Sequence, residues 1–160
     1  FTVPGADVTL DRPFVGSLFK LMIPKLRSIT RKRDASWDNY LDSIEPSDVV
    51  GIAAEGRMKR PDGLDKNGHV MTVRGGVADI IERIDDGVLL ICLSGGLHHV
   101  QAPGELFPSL FQPIRMHVVQ VDIREYKSRF QGSARERKIL MTQDLQKRLE
   151  TDCPEAISRG

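Results

Sequence analysis

Between residues 49 and 69 the chain turns from apolar to cationic within a few positions. Val49, Val50 and Ile52, followed by Ala53 and Ala54, read as a short buried strand, because β-branched residues in a short run favour extended backbone. The run ends in Glu55-Gly56-Arg57 and a turn-rich tract carrying Lys59, Arg60 and Lys66. The fold must bury the first half of this stretch and solvate the second. An acid, a glycine and several cations at the carboxyl end of a strand make a candidate anion site, since ligands of open α/β sheets gather there. The same residues also suit a solvated loop after an ordinary strand.

The remaining pattern alternates helix and strand. Residues 1–12 read as an irregular segment, polar and turn-like, with Pro4-Gly5. Over 14–23, Phe14, Val15, Leu18, Phe19, Leu21, Met22 and Ile23 share a broad helical face, and Pro24 ends the run. That helix suits either packing on a core or an interfacial position with a cationic tail. Ser28-Ile29-Thr30 suits a short strand. Asp34 is a good N-cap for a helix from 35 to about 44, with Trp37, Tyr40, Leu41 and Ile44 on one face. Val73, Val77, Ile80, Ile81 and Ile84 predict a helix over 72–84. The apolar run over 88–93 predicts a central parallel strand covered on both faces, and Cys92 within it is expected in the core. Residues 114–123 alternate as a strand should. Ser133 and Glu136 form a capping box for a last helix lined by Met141, Leu145 and Leu149. Together these predict one α/β domain over 13–150, a mixed, largely parallel sheet flanked by helices, with a tail over 151–160.

Charge and cysteine content narrow the partners. The 160 residues hold 23 Lys and Arg against 22 Asp and Glu, a net charge of +1. That balance, with one Trp and two Tyr, argues against nucleic-acid binding. The charge is uneven, because Lys20, Lys25, Arg27, Arg31, Lys32 and Arg33 are uninterrupted by any acid. Cys92 and Cys153 form no disulfide framework and suit reduced thiols. No stretch reaches the ~18 apolar residues of a membrane span. The chain starts at Phe1 without a signal-peptide pattern, so a fragment or processed product is expected.

Four segments in this order resemble the lysophospholipid acyltransferase family, the enzymes related to bacterial 1-acylglycerol-3-phosphate acyltransferase. In that family a strand ends in Phe-Pro-Glu-Gly-Thr-Arg, and here Ala53-Ala54-Glu55-Gly56-Arg57-Met58 stands in its place. Glu55 and Gly56 match; Arg57 supplies the cation one position early. Upstream, Ser28-Ile29-Thr30-Arg31-Lys32 is similar to the family's hydrophobic-x-Arg phosphate-binding segment. Downstream, Val73-Arg74-Gly75-Gly76 resembles its lysine-glycine-glycine segment before a helix. The next family strand carries Val-Pro-Val, where this chain has Leu90-Ile91-Cys92-Leu93. The likeness spans about 13–150 and implies an acyltransferase-like fold, N-terminally incomplete.

The family's catalytic His-x4-Asp lies ahead of the arginine segment, and no histidine precedes His69. The resemblance therefore implies that the motif lies upstream of this chain, which holds no catalytic residue of its own. His117 and Asp122 have the right spacing, but residues five apart on a strand face opposite ways. His98-His99 followed by Gly104 resembles a motif of other coenzyme A-dependent acyltransferases, with Pro103 in place of its aspartate. No histidine cluster has metal-ligand spacing, and His69 reads as a turn residue.

The resemblance implies acyl transfer from a thioester, acyl-CoA or acyl carrier protein, to the hydroxyl of a lysophospholipid or glycerol phosphate, with no bound cofactor or metal. Arg31 and Arg57, supported by Lys32 and Lys59, would hold the acceptor phosphate beside Glu55 and Gly56, since arginine's planar fork suits phosphate. It further implies a cytoplasmic protein, peripheral to the inner, anionic face of a membrane. The alternative is a non-catalytic α/β module that binds a phosphorylated ligand or anionic membrane through the same cations.

Overall fold

A computed structural model describes residues 2–6, 21, 25–29, 34–56, 62–65, 67–101, 107, 109–155 and 157. The chain forms two compact units, residues 1–52 and 53–160.

In the first unit, β1 (Thr2–Ala6) pairs in parallel with β2 (Lys25–Ile29), Thr2 opposite Lys25 and Ala6 opposite Ile29. Part of the segment expected to be irregular is thus a strand. Pro4 is tolerated because a strand near a sheet edge can lack one donor. Thr2 is buried, and its hydroxyl donates to the Lys25 carbonyl at 3.0 Å. Helix α1 (Ala35–Asp42) starts where the sequence places it: the Asp34 carboxylate accepts the Ser36 N–H at 2.9 Å. Such a cap stabilises a helix by about 1 kcal/mol. Trp37 and Tyr40 are buried with ring centroids 5.5 Å apart. Burial raises the Tyr40 phenol to about 12, against a smaller lowering by the Thr2 hydroxyl. The turn at 45–48 closes by Asp48 N–H donating to Glu45 O at 2.9 Å. Lys25 reaches both acids of this turn, Asp48 at 2.8 Å and Glu45 at 3.0 Å.

The buried strand expected over 49–54 does not form. Only Val50 pairs, in one parallel bridge to Thr2, and Val49 is 63% exposed. A strand needs a ladder of partners. The run contains Gly51 and ends in Ala-Ala-Glu-Gly, residue types that favour strands weakly.

The second unit begins with a turn in which Gly56 N–H donates to Ala53 O at 2.9 Å. A tight loop follows, closed by an antiparallel bridge between Leu64 and Val70. Buried Asp65 organises it, accepting the N–H groups of Asn67 at 2.7 Å and His69 at 3.0 Å. Helix α2 (Gly76–Arg83) buries Val77, Ala78, Ile80 and Ile81; it begins later than the expected 72, after the Gly75 N-cap. β3 (Val88–Leu93) and β4 (His117–Asp122) pair antiparallel, Leu93 opposite His117 and Val88 opposite Asp122. α3 (Ile123–Ser128) follows at once, capped by Asp122 accepting from Glu125 N–H at 2.9 Å. α4 (Ala134–Thr151) carries the expected capping box of Ser133 and Glu136 and buries Met141 and Leu145. It is tied to α2 by Lys138–Asp79 at 3.0 Å and by Arg137–Glu82.

β3 is a strand, as predicted, but not a central parallel one. Its partner runs antiparallel, and only one face is covered: Ile91, Leu93 and Val121 are buried, while Val88, Leu90 and Val118 are exposed. Cys92 lies on the open face and is exposed rather than core. A continuous apolar run shows that both faces can be buried, not that both are. The fold is thus mixed α/β, with one parallel and one antiparallel pair and no closed barrel among the described residues. No helix among them is long and apolar enough to cross a membrane.

Candidate functional site

Two segments that resemble successive acyltransferase motifs meet at one corner of the second unit. Ala54, at the head of the Glu55-Gly56 turn, accepts the Arg74 N–H at 2.8 Å. Gly56 is left-handed, with φ of 66°, a conformation glycine adopts without the Cβ penalty. A Cβ built there would lie 3.8 Å from Arg74 Cγ, so the Arg74 side chain runs past the turn. Arg74 is exposed, and no carboxylate among the described residues pairs with it. Gly75 then opens α2 without any side-chain cap. Glu55 is half-buried. The corner therefore presents one guanidinium beside an exposed glycine turn, an arrangement suited to holding an anion.

Of the residues expected to bind phosphate, Glu55 and Gly56 belong to this corner. Arg31, Lys32, Arg57 and Lys59 lie outside the described residues, as does most of the apolar stretch over 14–23, where Leu21 alone is described and is exposed. Arg74 was legible in the Arg-Gly-Gly segment, but nothing in the sequence gave it a role. That role comes from the hydrogen bond to Ala54, twenty positions back.

His99 is 3% exposed, and its Nε2 lies 2.8 Å from the Pro113 carbonyl. The His98 and His99 rings meet edge to face, with centroids 6.0 Å apart. No group of three or more His, Cys, Asp or Glu among the described residues could hold a metal ion. His117 and Asp122 lie at opposite ends of β4, and the Asp122 carboxylate is occupied as the α3 cap. His69 closes its turn, as expected, with Nδ1 3.6 Å from Asp65, longer than a hydrogen bond.

The first unit has a shallow groove of about 320 Å³ lined by Arg27, Ser28, Ser36, Asn39, Tyr40 and Ser43. No family model matches the chain, and neither does any curated protein or solved structure.

Proposed function

We propose that the chain holds the acceptor phosphate in an acyl transfer from an acyl-CoA or acyl carrier protein thioester to a lysophospholipid or glycerol phosphate. The observation that supports this is the Arg74–Ala54 hydrogen bond, which joins the Glu-Gly turn to the Arg-Gly-Gly segment. In the reaction the acceptor hydroxyl loses its proton to a base, its oxygen attacks the thioester carbonyl, and the carrier thiolate leaves and takes up a proton. The residues of this corner bind and orient; Arg74 clamps the phosphate, and positioning of this kind can supply on the order of ten kcal/mol at most. The proton acceptor is a histidine outside this corner. The setting is the cytoplasmic face of a membrane, with the protein peripheral to it.

A second reading is a phosphate-binding module without turnover, supported by the same Arg74–Ala54 hydrogen bond, since a guanidinium beside a glycine turn can hold an anion without any reaction.

Titration calorimetry with glycerol 3-phosphate tests both readings. Binding should be lost for glycerol and weakened roughly tenfold in Arg74→Ala, since hydrogen bonds to charged groups contribute about 1.5–3 kcal/mol. Equal binding of glycerol and glycerol 3-phosphate would refute a phosphate site. Turnover of an acyl thioester separates the enzyme from the module.

A further inference from the structure

The groove of the first unit is a second candidate site, built by β2 and α1 and unused by acyl transfer. Its volume of about 320 Å³ holds roughly ten waters at ~30 Å³ each, the small end of the range for ligand sites. Two local patterns line it. Ser36, Asn39, Tyr40 and Ser43 are spaced i, i+3, i+4 and i+7, which puts them on one side of α1 and its C-cap. β2 sets Arg27 and Ser28 side by side, both exposed. Tyr40 is buried, which holds α1 in place, while Asn39 beside it is exposed. The acids of α1, Asp38 and Asp42, fall on the other side of the helix, because each residue turns it by about 100°. Among the described residues that line the groove, Arg27 alone is charged.

The hydrogen-bond roles of these side chains define the ligand. Arg27 carries a fixed positive charge and several N–H donors in a planar fork, which suits a carboxylate or a phosphate. Ser28 beside it adds a hydroxyl that can donate to the same oxyanion. The α1 side asks for the opposite. The Ser43 hydroxyl donates to the Tyr40 carbonyl at 2.8 Å, so its proton is spent and its oxygen can only accept from a ligand. The Ser36 hydroxyl is also committed as a donor, to Asp34 Oδ1 at 2.6 Å. Asn39 offers both a carbonyl and an amide. An ionised oxyanion has no proton to give Ser43, whereas a sugar or polyol hydroxyl has one. The rise of the helix sets Ser36 and Ser43 about 10 Å apart, a longer span than one phosphate covers. The lining thus matches a negative group at β2 joined to hydroxyl groups along α1.

We infer that this groove binds a small hydroxylated oxyanion, a sugar phosphate or a sugar acid, with Arg27 and Ser28 on the oxyanion and Asn39 and Ser43 on hydroxyl groups. The inference is independent of the acyl-transfer reading. The test is titration calorimetry of the full chain with ribose 5-phosphate and with ribonate, against ribose and inorganic phosphate. At least one of the two hydroxylated oxyanions should bind, and the tighter of them identifies the head group. Ribose and inorganic phosphate should each bind at least roughly tenfold more weakly, because each satisfies one side of the groove alone. Arg27→Ala should lower the affinity roughly tenfold or more, and Asn39→Ala should lower it for the hydroxylated ligand while leaving inorganic phosphate unchanged. Both residues are exposed, so both variants should keep the thermal midpoint, which separates binding from folding. Equal binding of ribose and ribose 5-phosphate, or unchanged affinity in Arg27→Ala, overturns the inference. So does no binding of either oxyanion at millimolar concentration. Affinity lost in Arg74→Ala but kept in Arg27→Ala also overturns it and assigns the ligand to the Glu-Gly turn.

Discussion

Arg137 on α4 holds Glu82 on α2 through two hydrogen bonds, Nε to Oε1 at 3.0 Å and Nη2 to Oε2 at 2.9 Å. The two residues are 55 positions apart, so this pair joins elements that local sequence cannot join. Bidentate arginine–carboxylate geometry is the strong form of the ion pair. Glu82 is largely covered, so Glu82→Gln should lower stability by about 1–2 kcal/mol, read by urea unfolding. Arg137 as hydrogen-bond donor lowers the Glu82 carboxyl below its ordinary 4.5. A lowered folded value stabilises the native state above 4.5, and that gain is lost as pH falls through the lowered value. The difference between parent and Glu82→Gln should therefore shrink in acid; a constant difference would show that the ion pair is not its source.

Tyr126 is fully buried, and its hydroxyl donates to Asp144 at 2.8 Å, where Arg148 Nε also donates at 2.8 Å. Tyr126→Phe leaves Asp144 one partner and should cost about 1–2 kcal/mol. Burial first, then the Asp144 carboxylate, raises the phenol above its ordinary 10.0. The unfolded phenol ionises first, so stability should be intact below pH 10 and decline as pH rises further. Tyr126→Phe should show a shallower alkaline decline, the remainder coming from the buried Tyr40 phenol.

Gly56→Ala should destabilise the second unit by about 1 kcal/mol through its left-handed backbone. The added methyl meets Arg74 Cγ only at 3.8 Å, an ordinary contact, so the effect is conformational. Glycerol 3-phosphate affinity should fall less than in Arg74→Ala; a larger fall would make the turn rather than the guanidinium the binding element.

His117→Ala should leave any acyl transfer unchanged. The His117 side chain stands on the opposite side of β4 from Asp122, which already caps α3. A rate loss in His117→Ala with intact folding would overturn the strand geometry.

Sequence alone determined the local features. Asp34 and the Ser133–Glu136 box mark helix starts because a cap is made with backbone N–H groups within three residues. The alternation before Ile123 marks β4, and the 3.6-residue period marks α2, because each depends only on neighbours along the chain. Tertiary structure decided whatever depends on distant partners. Thr2–Ala6 is a strand because β2 lies beside it, and 49–54 is not one because only Thr2 does. β3 exposes Leu90 and Cys92 because its partner is a single antiparallel strand with one covered face. Arg74 joins Ala54 through a hydrogen bond spanning twenty residues. Caps and periods are written in adjacent residues, whereas pairing direction, burial and convergence are set by surfaces that meet only once the chain has folded.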